Sequence, residues 1–372
     1  MRMDSFAAKL IRWQEKHGRH HLPWQHTRDP YAIWLSEIML QQTRVNTVIP
    51  YYQRFLQSFP DIRCLAQASL DDVLAQWSGL GYYSRGRNLH RAARMIVSDH
   101  RGKFPESAET ICKLPGIGRS TSAAIAVFAY GERCAILDGN VKRILSRYFG
   151  MEGYPGDKKN ETLFWRKAEE LLPTLQAGAR KGSNEDTGRL VETYTQALMD
   201  LGATVCTRHR PKCSSCPLRE DCIAFRNGRI DKLPSPRPRK PLPMKETILL
   251  ILMNQGRVFL EKRPLEGIWG GLWSLPEMAI DENIMEYCRG CFGLELGSPA
   301  QMAMQPFDHT FTHFRLRIYP QLLWVRSLSS TPAHNAGTGI WTTFESALQA
   351  ALPAPVRKLL TAIPLDPEEK YG

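Results

Sequence analysis

The chain has 372 residues, 43% of them apolar, and a formal net charge of +12 at pH 7. This length exceeds one typical domain and the apolar share fills more than one core, while no run approaches the roughly 18 apolar residues of a membrane span, so no membrane partner is expected. The charge is uneven, with 34 basic against 23 acidic residues over 1–230, 5 against 1 over 231–245 and 10 against 13 over 246–372, which points the first part towards a polyanion, most simply nucleic acid.

Residues 1–20, with Lys9, Arg12, Glu15 and Lys16 among apolar neighbours, read as an amphipathic helix and not a signal peptide. Apolar residues at helical spacing then predict helices over 31–45, 48–59, 70–77, 85–100, 108–113, 120–129, 141–148, 160–172 and 190–201, broken by Pro and Gly. No alternating strand pattern interrupts them, so an all-α module is expected over 1–230. Within it the polar stretch 176–189 reads as a solvated inserted loop. Residues 231–243 hold five prolines, which remove backbone donors and forbid helix, so 231–245 is an extended basic linker. Beyond it, 247–253, 258–261, 314–320 and 321–325 predict strands and 284–292 and 346–361 helices, an α+β module over 246–372.

Four cysteines, Cys206, Cys213, Cys216 and Cys222, fall within 17 residues. At such spacing they do not pair usefully as disulfides but can wrap a metal centre. A zinc ribbon usually offers two Cys-x2-Cys knuckles, and one is present, so a [4Fe–4S] cluster suits the spacing better, with structural zinc as the alternative. Arg208, His209, Arg210 and Lys212 place positive charge on the same loop. Nine cysteines in all, with four in one cluster, point to a reducing compartment.

Leu114-Pro-Gly-Ile-Gly-Arg119 followed by Ser120 is a tight turn opening a small-residue helix. Gly116 and Gly118 let backbone approach a phosphate, and the helix start offers unpaired N–H groups to it. Together with the cysteine cluster, this segment resembles the helix-hairpin-helix endonuclease III superfamily of base-excision glycosylases. The resemblance implies two helical subdomains, a six-helix barrel and an iron–sulfur cluster subdomain. Lyase members of that superfamily carry a nucleophilic lysine where this chain has Ser120. A serine forms no imine, so a monofunctional glycosylase is expected, with Lys142 the nearest alternative amine.

Two carboxylates stand out. Glu37 lies in a helix that is apolar around nearly its whole circumference, where a carboxyl is either paired or kept protonated by desolvation. A protonated acid in a cleft can serve a leaving group. Asp138 is placed to cap the following helix, which would also pin a carboxylate able to stabilise positive charge.

Leu22-Pro-Trp24, the 34–44 segment, Gly79-Leu-Gly-Tyr-Tyr83, Leu137-Asp-Gly-Asn-Val141 and the cysteine spacing together resemble the MutY family of adenine DNA glycosylases. This resemblance implies removal of adenine opposite 8-oxoguanine, and of adenine opposite guanine, from double-stranded DNA by a monomeric enzyme with one [4Fe–4S] cluster. It implies that Glu37 protonates adenine N7 and that Asp138 stabilises the oxocarbenium ion. Trp24 and Gln196 fall in the adenine pocket, Gln41, Gln42 and Thr43 near the lesion pair, and Tyr82 beside 8-oxoguanine. Leu114, Gly116, Gly118, Ser120 and Lys142 are further implied DNA contacts. A base must leave the stack before an acid reaches N7, and a wedge must fill the gap. The location implied is cytoplasmic and nucleoid-associated in a bacterium, or nuclear and mitochondrial in a eukaryote.

The second module resembles a degenerate Nudix domain. Gly271 and Glu277 have the spacing of that box's opening, but 285–290 lacks the acidic run that holds Mg2+, so a binding role without hydrolysis is expected. Phe311, Thr312 and His313 match the family's lesion-sensing loop, with threonine where serine is commoner. Cys288 and Cys291 read as two incidental thiols on a helix.

Overall fold

The computed structural model of the protein describes residues 5–174, 184–237, 241–328 and 339–363. They form two compact units, one of Met1–Gln67 with Asn88–Arg239 and one of Ala68–Arg87 with Lys240–Gly372.

Among the described residues, twelve α-helices precede the linker: α1 (Phe6–His17), α2 (Pro30–Leu40), α3 (Val45–Ser58), α4 (Ile62–Gln67), α5 (Leu70–Trp77), α6 (Ser84–Asp99), α7 (Ala108–Ile111), α8 (Arg119–Tyr130), α9 (Gly139–Phe149), α10 (Lys158–Glu170), α11 (Asn184–Thr204) and α12 (Ile223–Arg226). The all-α expectation for this stretch is met among the described residues. Several starts are written in side chains: Ser5, Asp29, Asp138 and Asp157 each accept a backbone N–H at the head of α1, α2, α9 and α10, satisfying donors the helix itself cannot. One core of the first unit gathers Phe6 and Leu10 of α1, Val127 of α8, Ile144 of α9, Phe164 of α10 and Leu198 and Leu201 of α11.

Three sequence expectations are corrected. The helix expected over 31–45 ends at Leu40: Gln41 N–H turns back to Ile38 O, Gln42 has left-handed φ of 58°, and α3 begins afresh at Val45. The polar stretch 176–189 is not loop throughout, since 184–189 form the first turns of α11; residues 175–183 lie outside the described residues. The helix expected over 346–361 is two, α14 (Phe344–Gln349) and α15 (Ala354–Ala362), because Pro353 has no N–H to carry a helix through.

The second unit holds a mixed sheet: β1 (Met244–Asn254), β2 (Arg257–Lys262), β3 (Trp273–Ser274), β4 (Glu277–Met278), β5 (Leu294–Ala303), β6 (Phe307–Thr310), β7 (Arg315–Leu328) and β8 (Gly339–Thr343), with α13 (Ile284–Phe292) between β4 and β5. The path runs β3-β2-β1-β7-β5, with β4 on β1, β6 on β7 and β8 on β2. The central pair β1 and β7 is parallel, in register from Met244↔Arg315 to Met253↔Trp324. Alternation along β1 sends Leu249 and Ile251 into one apolar cluster and Leu250 and Leu252 into another, as a strand buried on both faces must. The strands expected over 314–320 and 321–325 are the single strand β7, continuous through Pro320.

Ala68–Arg87 groups with these residues through specific contacts. Leu74 packs with Leu272 and Ala351, flanked by Leu70, Tyr83 and Trp269. Asp71 pairs with Lys262, Tyr83 Oη donates to Leu352 O at 2.9 Å, and Arg87 Nη1 donates to Gly270 O at 2.6 Å. Among the described residues no helix is long and apolar enough to cross a membrane. A chain ending at Arg229 leaves Leu70, Leu74 and Tyr83 without their apolar partners, so its Tm is expected to fall below that of the full chain. Leu272→Ala in the full chain should cost about 2–5 kcal/mol by denaturant unfolding.

Candidate active site

Glu37 sits on α2, whose neighbours Ile33, Trp34, Leu35, Ile38 and Met39 are all buried. It lines a cavity of about 310 Å³ together with Gln14, Arg19, Trp24, Ser36 and Gln196. Three of the residues assigned from sequence to catalysis and base binding, Glu37, Trp24 and Gln196, are thus brought to one place. Trp24 is buried and packs edge-on against Tyr52 at 5.4 Å between ring centroids. Gln196 Nε2 donates to Asp200 Oδ1 at 3.0 Å, and Asp200, fully buried, also accepts from the backbone N–H and Nε of Arg19 at 2.8 and 2.6 Å.

Burial pushes the Glu37 carboxyl up to about 8, helped by the negative charge of Asp138. A carboxyl in that range is protonated at neutral pH and has a proton to give. Asp138 is held differently. It caps α9, accepting from Val141 N–H at 2.8 Å and from Asn140 Nδ2 at 3.1 Å. Burial raises its pKa as well, but these donors and the Arg143 guanidinium oppose the rise. Burial thus raises both carboxyls, and Asp138 differs from Glu37 in being met by donors that favour its ionised form.

Ser120 Oγ accepts from Leu137 N–H at 2.9 Å and so ties the start of α8 to the segment entering Asp138. Lys142 Nζ pairs with Glu161 at 2.6 Å. In the turn before α8, Leu114 is buried, and Gly116 has φ of +77° with its Cα so near Asn88 that a Cβ would stand 2.7 Å from that side chain. Glycine is required there on both counts. Gly118 caps α8 without a side-chain hydrogen bond, and a Cβ there would meet nothing within 4 Å.

Gln41 Nε2 reaches Thr121 Oγ1 at 3.4 Å, and Thr43 Oγ1 reaches Gln41 O at 3.4 Å. Gln42 and Tyr82, both exposed, have φ of 58° and 48°. Left-handed backbone at a non-glycine residue is strained and persists where the surroundings impose it. Tyr82 leaves 46% of its surface exposed, unusual for an aromatic side chain and suited to insertion. In the second unit, Phe311, Thr312 and His313 form the turn between β6 and β7. Phe311 stacks on Phe314 at 4.6 Å and lies 5.6 Å from Trp269, while Thr312 and His313 project outward. Glu277 is held by Arg263 at 2.6 Å, and α13 carries one acidic residue, Glu286.

The cysteine loop is anchored from beneath. Arg147, 4% exposed, donates to Leu233 O, Thr207 O and Arg208 O at 3.0, 2.7 and 3.2 Å, with Nη1 3.5 Å from Cys206 Sγ. Arg143 donates to Cys206 O and Gly202 O, each at 2.7 Å, and to Asn140 Oδ1 at 2.8 Å. Among the described residues no three or more His, Cys, Asp or Glu side chains meet as a group able to hold a single metal ion. The thiols are nonetheless close enough to feel one another: burial pushes Cys216 up to about 12, and charge on Cys206, Cys222 and Cys213 adds to it.

Sequence patterns missed Gln14, Arg19, Asp200, Arg143 and Arg147. Their roles depend on contacts between α1, α9, α11 and the cysteine loop; a polar residue on the apolar side of a helix, as Gln14 and Asp200 are, is the signal that finds two of them.

Residues 35–170 match the HhH-GPD superfamily of base excision DNA repair proteins, and residues 247–362 match the NUDIX domain. An adenine DNA glycosylase of Buchnera aphidicola subsp. Acyrthosiphon pisum is 37% identical over 355 residues, covering 95% of this chain and 96% of its own. That of Mus musculus is 31% identical, covering 96% of this chain and 77% of its own. A solved thermostable thymine-DNA glycosylase superposes with a TM-score of 0.52 at 28% identity, over 60% of this chain and 95% of that one. The HhH-GPD match, the NUDIX match that follows it in sequence, and adenine DNA glycosylase relatives along nearly its whole length place this chain in the MutY-type adenine DNA glycosylase family of base excision repair enzymes.

Proposed function

We propose that this enzyme removes adenine paired with 8-oxoguanine, and with guanine, from double-stranded DNA by hydrolysing the N-glycosidic bond after base flipping. The observation that carries the reading is Glu37, protonated at neutral pH in a cavity it shares with Trp24 and Gln196. The flipped adenine enters that cavity, and Glu37 gives its proton to N7. The C1′–N9 bond breaks with its electron pair passing to the base, which leaves neutral. The Asp138 carboxylate, met by the donors of its cap, stabilises the oxocarbenium ion, and water adds at C1′ with its proton passing to the Glu37 carboxylate.

The reaction stops at hydrolysis. Ser120 offers no amine and its hydroxyl is engaged by Leu137, while Lys142 is paired with Glu161. The backbone of Gly116 and Gly118 grips phosphate, and Gln41, Gln42, Thr43, Tyr82 and Leu114 contact the lesion pair or its flanks. Cys206, Cys213, Cys216 and Cys222 hold one [4Fe–4S] cluster, which serves to shape the loop bearing Arg208, Arg210 and Lys212. Residues 1–230 form the glycosylase domain, 231–245 the linker and 246–372 a lesion-recognition domain reading 8-oxoguanine with Phe311, Thr312 and His313. The enzyme works as a monomer, in the cytoplasm and nucleoid of a bacterium or the nucleus and mitochondria of a eukaryote.

Single-turnover excision on an 8-oxoguanine:adenine duplex tests the chemistry. Glu37→Gln keeps the shape without the proton and should slow excision by about 10²–10⁴ with DNA binding intact; excision at the wild-type rate sinks the assignment. Since the folded carboxyl holds its proton to about pH 8 and the unfolded one releases it near 4.5, wild-type excision should fall as pH rises through about 8. Between about pH 4.5 and 8 the folded state holds a proton that the unfolded state has released, so stability should decline with rising pH across that range and level off above it, and Glu37→Gln should abolish that decline.

Anaerobically purified protein should be yellow-brown and contain iron, and Cys216→Ser should lower both iron content and DNA affinity; a colourless protein with stoichiometric zinc refutes the cluster. Replacing Phe311 and His313 by Ala should reduce the preference for 8-oxoguanine:adenine over guanine:adenine by about tenfold, a contact worth roughly 1–3 kcal/mol. An unchanged ratio would assign lesion sensing to other residues.

A further inference from the structure

The exposed ring of Tyr82 rests against a buried guanidinium. Arg85, in the first turn of α6, is 8% exposed, and its Cζ lies 5.5 Å from the ring centroid of Tyr82. It lies 5.5 Å from the ring centroid of Trp77 as well. Both distances are within reach of a cation–π attraction. One cation thus meets a fully buried ring and a ring that leaves 46% of its surface to solvent.

The same residue fixes the backbone on both sides of the Gly81–Tyr82 peptide. Arg85 Nη2 donates to Leu80 O at 3.2 Å and to Gly81 O at 3.1 Å, and Trp77 Nε1 donates to Gly81 O at 3.2 Å. Arg85 N–H donates to Tyr82 O at 2.9 Å. Gly79, Gly81 and Tyr82 have φ of 95°, 75° and 48°. The turn is left-handed at each of them, and at Tyr82 that conformation is imposed on a residue that disfavours it. A guanidinium can do all of this at once, because it is planar, offers several donors and presents a face to aromatic rings. Burial lowers the Arg85 pKa to about 10, which leaves it a cation at neutral pH.

We propose that Arg85 is a positioning residue for lesion recognition: by holding the carbonyls of Leu80 and Gly81 and the ring of Tyr82, it keeps that ring in the geometry in which it enters the duplex. A ring already in place needs no ordering when DNA binds, so the guanidinium contributes to affinity through Tyr82 and not through a contact of its own. The inference rests on the reading of Tyr82 as the residue inserted beside 8-oxoguanine.

The test is a mutant cycle in the full-length protein. It reads Kd for a duplex carrying 8-oxoguanine opposite 2′-fluoro-2′-deoxyadenosine, whose fluorine disfavours the oxocarbenium ion and so leaves the base uncut. Arg85→Met keeps side-chain length without the cation. It should weaken binding by about tenfold in the wild-type background and by about as much in Tyr82→Phe, which keeps the ring. In Tyr82→Ala, which removes the ring, the same substitution should weaken binding by less than about twofold. A residue that only supports the fold would weaken binding equally in all three backgrounds, and that result overturns the inference, as does unchanged binding by Arg85→Met. If Arg85→Met does not fold, Arg85→Lys, which loses the planar fork, is read by the same comparison. If Tyr82→Ala binds as tightly as wild type, the reading of Tyr82 falls first, and the role of Arg85 with it. If Tyr82→Ala binds weakly but still responds fully to Arg85→Met, the role of Arg85 alone is overturned.

Discussion

The guanidinium of Arg143 joins the cysteine loop to the helix that carries Asp138. It donates to the carbonyls of Cys206 and Gly202 and to Asn140, whose amide donates onward to the Asp138 carboxylate. Arg147, one turn along α9, is buried beneath the same loop and spends its donors on three loop and linker carbonyls. Guanidinium groups suit this task because they stay charged when buried and present several donors in a rigid plane. The cysteine loop, the cap of α9 and the Asp138 carboxylate are thus joined by hydrogen bonds. The path from the loop to Asp138 is three hydrogen bonds long, Cys206 to Arg143, Arg143 to Asn140 and Asn140 to Asp138.

Around that brace the site divides its labour by solvation. Glu37 is surrounded by apolar side chains on α2 and keeps its proton because ionising there is costly. Asp138 is also enclosed, yet it is met by donors on every side that a cap provides. Strain follows a similar pattern. Gln42 and Tyr82 hold left-handed backbone without being glycine, and both lie where a side chain has to be held outward.

What the amino-acid sequence determined by itself is whatever is local. Four cysteines within 17 residues announce a thiolate centre, five prolines within thirteen residues announce a tether, and helical periodicity before the tether with strands after it announces two kinds of fold. Glu37 and Asp138 were legible for the same reason, one as an acid inside an apolar helix and the other as a capping residue ahead of α9. The tertiary structure decided what depends on residues far apart in the chain. The parallel pairing of β1 with β7 spans some seventy residues, and the packing of Leu74 on Leu272 nearly two hundred. The pKa of Glu37 needs the whole cavity around it. Gln14, Arg19 and Asp200 meet only when α1 lies against α11, and a pattern of neighbours along the chain carries no record of which distant groups will share one desolvated space.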